Sequence, residues 1–147
     1  MDSAATVLLV DDDENDCMLF ERAVKKNNFP FRIQVAHNGK EAMDYISGAG
    51  EFADRQRFPI PKFIVTDNRM PVMSGTEFLR WLKKHPSLGV VPTIVLGGAA
   101  TPAEIDTAYA ELGIHSYIPK PGNHDELQQI VKLIFEYWAV CVLPRHK

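Results

Sequence analysis

Residues 63–75 read Phe-Ile-Val-Thr-Asp-Asn-Arg-Met-Pro-Val-Met-Ser-Gly, and the organisation of the whole chain follows from them. The run at 63–66 is too short for a helix and reads as a buried strand that delivers one carboxylate, Asp67, at its carboxyl end. Met70-Pro71 then turns the chain before a helix that Ser74 or Gly75 opens. Upstream, Val7-Leu8-Leu9-Val10 is a second such run, and it ends on Asp11, Asp12 and Asp13. Two strands that aim acids at one edge of a sheet make a cation site, at the edge where open α/β sheets hold their ligands.

Between these two runs, helical spacing begins at Glu14. Leu19, Ala23 and Val24 share a face, with Glu21, Lys25 and Lys26 outside, until Asn27-Asn28 and Pro30 stop it. Arg32 to Ala36 alternates like a half-buried edge strand. Asn38-Gly39 marks a turn, and Ala42, Met43, Tyr45 and Ile46 give a short helix that ends near Ser47-Gly48. Residues 48–62 have no clear period and exceed the usual connection length. Two readings stay open: a surface loop pinned by Phe52, Phe58 and Ile60, or an insertion with a binding role.

Downstream of Asp67, Phe78, Leu79 and Leu82 face inward on a helix that Pro86 to Gly89 ends. Val90 to Leu96 supplies a fourth strand, followed by Gly97-Gly98-Ala99-Ala100. Thr101-Pro102-Ala103-Glu104 is a helix start with an N-cap hydroxyl, proline at the first helical position and glutamate placed for a capping box. That helix ends at Gly113. His115 to Ile118 is a fifth strand, and Lys120-Pro121-Gly122 turns the chain into a last helix from about Asp125 to Cys141, with Leu127, Ile130, Val131, Ile134 and Phe135 as its apolar stripe. Strand and helix alternate five times, which argues for a parallel sheet with helices on both faces.

At 147 residues the expectation is one domain, 1–147, with its core at about 5–142. The apolar fraction of 46%, the charged fraction of 24% and the net charge of -3 give no basic footprint, so nucleic acid is not an expected partner. Cys17 and Cys141 are far apart and fall on apolar helix patterns, which favours reduced thiols and a cytoplasmic protein. Met-Asp-Ser-Ala-Ala lacks the basic start of a signal peptide, and no apolar run reaches the roughly 20 residues that span a bilayer, so no membrane association is expected.

Carboxylates about 4 Å apart repel by about 4 kcal/mol at an effective dielectric of about 20. They stay partly protonated unless a cation joins them. Mg²⁺ meets that need, because it is hard, prefers oxygen ligands and commonly bridges carboxylates to phosphate. The fifth strand carries Lys120 at its end, where an ammonium can hold an anionic oxygen facing the metal. Carboxylates, metal and lysine together describe phosphoryl transfer to an aspartate side chain. A nucleotide or flavin binder of this architecture would need glycines after the first strand; here that turn is Asp-Asp-Asp-Glu-Asn-Asp, which repels phosphate.

With these residues in place, the chain from Val7 to about Val142 resembles the response-regulator receiver domains of two-component signalling. The resemblance implies a flavodoxin-like (βα)5 fold, a doubly wound parallel sheet in the order 2-1-3-4-5. Asp11 and Asp12 look like that family's acidic pair, with Asp12 the closer metal ligand. Asp67 matches its phosphoacceptor, the Arg69 carbonyl completes the protein's share of the metal shell, and Lys120 matches its lysine. The resemblance also implies a cis bond between Lys120 and Pro121, a switch aromatic at Tyr117, a histidine kinase as phosphodonor, and a downstream protein or phosphotransfer protein as partner. No enzymatic activity beyond the chain's own phosphorylation and dephosphorylation is implied. The loop with Glu51-Phe52-Ala53-Asp54-Arg55, together with Tyr137-Trp138, is similar to the stand-alone receivers partnered with phytochrome-type kinases.

One position departs from the family. Where it has threonine or serine at the end of the fourth strand, this chain has Gly97. With no hydroxyl there, coupling to Tyr117 is in doubt. The expectation is that Asp67 is still phosphorylated while the conformational response is small, the alternative being an interaction module that does not use phosphate. Tyr117 reads equally as a packed aromatic or a switch, and Asp13 as a solvent-facing residue rather than a ligand. His115 and His124 lack partners at zinc spacing. The cluster Phe135, Tyr137, Trp138 reads as core, with a homodimer surface on the fourth and fifth helices as the other reading.

Overall fold

Val7 and Leu9 face one apolar layer and Leu8 and Val10 another, each at most 1% exposed. Successive side chains of a strand point to opposite faces, so this first strand is covered on both sides. The computed structural model describes residues 5–85, 88 and 91–143. In chain order the elements are β1 (Ala5–Val10), α1 (Glu14–Lys26), β2 (Phe31–Ala36), α2 (Gly39–Ser47), β3 (Phe63–Thr66), α3 (Gly75–Lys83), β4 (Thr93–Gly97), α4 (Pro102–Ala110), β5 (Ser116–Pro119) and α5 (His124–Ala139). All strand pairs are parallel and the order is β2-β1-β3-β4-β5, the flavodoxin-like arrangement expected.

Each face of the sheet has its own core. On one, Phe20 and Val24 of α1 and Leu127, Val131 and Phe135 of α5 cover Phe63, Val65, Ile94 and Leu96. On the other, Ala42 and Ile46 of α2, Phe78 and Leu82 of α3, and Ala108 of α4 cover Ile64 and Val95. With β3 in the middle, β1 beside it and both faces closed, the ends of the strands are left to carry the chemistry.

Side-chain caps set most helix starts. Asp13 accepts from the backbone N–H groups of Asn15 and Asp16, Asn38 from that of Glu41, and Asn123 from that of Glu126. Ser74 with Glu77 and Thr101 with Glu104 form reciprocal capping boxes. The caps also explain where boundaries moved. Asn38-Gly39, expected as a turn, is the cap and first residue of α2, and α5 starts at His124 because Asn123 takes the cap position. β4 starts at Thr93, directly after Pro92, which has no N–H to give. α4 ends at Ala110, and Gly113, with φ of 62°, belongs to the turn into β5. Pro86, Ser87, Gly89 and Val90, on which the expected end of α3 and start of β4 partly rested, lie outside the described residues.

The connection at 48–62 is a packed loop. It opens with a short 3-10 turn, Gly50–Ala53, and lays Phe52 between Tyr45 and Phe58, with ring centroids 5.2 and 5.0 Å away. Arg55 clamps it from within by donating to the carbonyls of Tyr45 at 2.8 Å, Ile46 at 2.7 Å and Phe58 at 3.2 Å, two of which belong to the last turn of α2. Cys17 and Cys141 are both free thiols. Among the described residues no helix is long and apolar enough to cross a membrane.

One expectation is corrected. The Lys120–Pro121 bond is trans, and no cis peptide occurs among the described residues. Lys120 is already anchored with the trans bond, its N–H donating to the carbonyl of Gly97 at 2.7 Å. The trans form is also the ordinary preference of such a bond, by about 0.5–1 kcal/mol.

Candidate functional site

Asp11 and Asp67 are the first residues beyond β1 and β3, and the pairing of Val10 with Thr66 puts them level on neighbouring strands. The ladder continues through them: Asp11 N–H donates to the Ala36 carbonyl at 2.9 Å and Asp67 N–H to the Val10 carbonyl at 2.8 Å. Backbone order at this edge therefore fixes both carboxylates. Asp11, Asp12 and Asp67 each place a carboxylate oxygen within 4.8 Å of the others. Three hard oxygens so close form a donor set suited to a small divalent cation. Asp13 stays apart, committed to capping α1.

Lys120 reaches this cluster from the end of β5. Its Nζ lies 2.7 Å from Asp16, 3.1 Å from Asp11 and 3.3 Å from Asp67. Burial works against the ammonium, but its hydrogen bond to Asp16 and the charges of Asp11 and Asp67 outweigh it and hold the lysine above its ordinary pKa. Asp11 is 2% exposed. Burial pushes its carboxyl up to about 6, although the Asp13 N–H and Lys120 both pull the other way. An acid held that far up is one that gains from a further cation.

Asp16 went unnoticed in the sequence, where it looks like an ordinary acid of a helix's first turn. It is 6% exposed and makes the shortest contact to Lys120. A signal was present: Asp16, Phe20 and Ala23 stand at i, i+4 and i+7, so a carboxylate occupies the buried stripe of α1.

The turn after β3 orients Asp67. The Asn68 N–H donates to Asp67 Oδ1 at 2.7 Å, the Asn68 carbonyl accepts from Gly75 at 2.9 Å, and the Asn68 side chain accepts from the Thr76 hydroxyl at 2.6 Å. A Cβ at Gly75 would fall on the Asp67 carbonyl oxygen, so the start of α3 packs against this turn only with glycine. Arg69 sends its guanidinium across to the Ala99 carbonyl at 2.9 Å, tying the loop after β3 to the loop after β4.

At the β4–β5 end, Gly97 and Tyr117 meet. A Cβ built on Gly97 would fall on the Tyr117 hydroxyl and lie 2.8 Å from Cζ. That hydroxyl donates to the Gly98 carbonyl at 3.2 Å, and the Tyr117 N–H donates to the Tyr109 hydroxyl at 2.8 Å. Burial raises the Tyr117 pKa, as do the charges of Glu104 and Asp67, with Arg69 opposing. A hollow of about 350 Å³ between α3 and α4 borders the ring and is lined by Asn68, Thr76, Glu104 and Thr107 among others. His115 is occupied by Ser116 Oγ at 2.7 Å and by the rings of Tyr137 and Trp138. His124 is the first residue of α5.

The site thus gathers Asp11, Asp12, Asp67 and Lys120, adds Asp16, and sets Gly97 and Tyr117 beside one another. Comparisons with known proteins agree with this architecture. The model of the response regulator receiver domain matches residues 7–132. The probable methanogenesis regulatory protein FilR2 of Methanothrix harundinacea (strain 6Ac) is 31% identical over 135 residues, covering 90% of this chain and 82% of its own. The crystal structure of the phosphorylated cyanobacterial phytochrome response regulator RcpA is similar with a TM-score of 0.88 at 32% identity, over 97% of this chain and 100% of that one. The Mn(2+)-bound form of response regulator Rcp1 is similar with a TM-score of 0.87 at 27% identity, over 96% and 99%.

Proposed function

Because the chain belongs to the response regulator receiver domain family of two-component signalling, we propose that it accepts a phosphoryl group from a histidine kinase onto Asp67 and signals by protein contact. The observation that carries this reading is the convergence on Asp67 of a lysine ammonium at 3.3 Å and of two further carboxylates, with oxygens within 4.8 Å of its own. An Asp67 oxygen attacks phosphorus as the bond from phosphorus to the donor histidine nitrogen breaks, and the leaving imidazole keeps the electron pair. The Asn68 N–H fixes the rotation of the carboxylate, while Lys120 faces the negative oxygens of the incoming group. The residues fit Mg²⁺, with Asp11, Asp12, Asp67 and the Arg69 carbonyl as its protein ligands. Bound there, the ion supplies charge neutralisation for carboxylate and phosphoryl oxygens alike.

The likeness to RcpA supports a phytochrome-type kinase as donor, and membership of the family goes with a downstream effector or phosphotransfer protein as recipient and the cytoplasm as the setting. Leu133 and Tyr137, 65% and 50% exposed on α5 beside Ile118 and Ile130, support a second copy of this chain as a further contact. The test of the central reading is intact mass after incubation with phosphoramidate. Mass gain of one phosphoryl group is expected with Mg²⁺, and none with a chelator or in Asp67→Asn. Equal gain in Asp67→Asn would end the assignment.

A further inference from the structure

Gly97 and Tyr117 make sense only together. In the parallel register of β4 and β5, Tyr117 pairs with Val95, and Gly97 lies two residues on, hence on the same face. A tyrosine ring that leans along the strand reaches such a diagonal position. Here the lean carries the hydroxyl up against the place where the side chain of residue 97 would begin, since a Cβ there would clash with the hydroxyl oxygen. The glycine is therefore a notch, and an oxygen from the neighbouring strand fills it. We infer that the Tyr117 hydroxyl takes over the role of the hydroxyl that position 97 lacks, donating a hydrogen bond to the phosphoryl group received by Asp67.

Three further observations fit this role. Among the described residues the hydroxyl makes a long 3.2 Å bond to the Gly98 carbonyl, which costs little to exchange for a charged acceptor. The backbone of Tyr117 is fixed by the Tyr109 hydroxyl, so the ring pivots from a held root. The pairing of Thr66 with Val95 sets Asp67 level with Leu96 on the neighbouring strand, one residue short of Gly97, so the notch lies beside the phosphoacceptor. A glycine at the end of β4 then moves the hydroxyl donor to β5 instead of abolishing it, and the residue that senses the phosphoryl group is the same one that moves.

This inference rests on Asp67 being the phosphoacceptor, and the experiment separates the two. Beryllofluoride, a stable phosphoryl mimic, is titrated with Mg²⁺ while ¹⁹F NMR follows the bound fluorines and urea unfolding follows the fold. Wild type is expected to bind with resolved fluorine signals. Tyr117→Phe, which keeps the ring, is expected to bind about tenfold more weakly, with one fluorine signal shifted and the unfolding midpoint unchanged. Gly97→Ala, which puts a methyl group in the notch, is expected to weaken binding similarly. The double variant Gly97→Thr with Tyr117→Leu, which removes Cζ together with the hydroxyl and returns a hydroxyl to β4, is expected to recover affinity. Wild-type binding matched by Tyr117→Phe in affinity and fluorine spectrum overturns the inference and leaves the Asp67 reading standing. Failure of wild type to bind overturns both.

Discussion

At the carboxyl edge of the sheet, the β1–β3 end is organised by charge and the β4–β5 end by shape. At the first, Asp11, Asp16 and Asp67 are gathered against one cation, Lys120, and Asp12 adds a further carboxylate beside Asp11 and Asp67. At the second, an absent side chain at Gly97 admits the neutral Tyr117 hydroxyl. The two ends differ in how they respond to loss. Removing a charge from the first leaves several partners uncompensated, whereas removing an atom from the second leaves space that a neighbour fills.

Lys120→Met puts the contrast under the greatest strain. It keeps most of the stem but leaves three nearly buried carboxylates without their cation, so a loss of about 3–5 kcal/mol is expected in urea unfolding with a chelator present. Mg²⁺ should restore part of it. A loss below about 1 kcal/mol would mean that charge does not organise this end.

Next comes pH. The Asp11 carboxyl titrates near 6 in the fold against 3.8 in its ordinary state. Between those values the folded chain holds a proton that the unfolded chain has released, so stability without metal falls as pH rises through this window and is flat above it, by up to about 3 kcal/mol in all. Asp11→Asn should abolish that fall, and with Mg²⁺ the stabilising effect of the ion should grow as pH rises past about 6. Urea midpoints across the window, with and without the ion, check both signs.

Gly97→Ala tests the other end. A methyl group against the Tyr117 hydroxyl should cost about 1–3 kcal/mol, and combination with Tyr117→Phe should recover part of it, because the hydroxyl is the nearest obstacle while Cζ, 2.8 Å from the added carbon, remains. Additive losses in the double variant would break the comparison. The smallest effect is expected at Thr101, whose cap anchors the loop after β4: Thr101→Ala should cost about 1 kcal/mol with no dependence on Mg²⁺.

The sequence made the charged end readable and the steric end opaque, for a physical reason. Asp11, Asp12, Asp67 and Lys120 lie at strand ends that apolar runs mark in one dimension, and a parallel sheet brings all its carboxyl ends to one edge. Asp16 stayed hidden because acids in a helix's first turn are commonplace, and only its place on the buried stripe sets it apart. The exchange between Gly97 and Tyr117 required the β4–β5 register, which no periodicity supplies. Read without it, the glycine counted as a lost hydroxyl. The loop at 48–62 showed its aromatic pins in sequence, but the clamp by Arg55 depends on the carbonyls of α2 being open toward it.

The central claim is that one carboxylate among several neighbours takes the phosphoryl group. Incubation with phosphoramidate and Mg²⁺, reduction of the acyl phosphate with borohydride and peptide mapping locate that carboxylate directly, because the phosphorylated aspartate alone is converted to homoserine. The account predicts homoserine at residue 67, dependent on the ion, with Asp11, Asp12 and Asp16 unchanged. Homoserine at any of those three, or at none of the four, would contradict it.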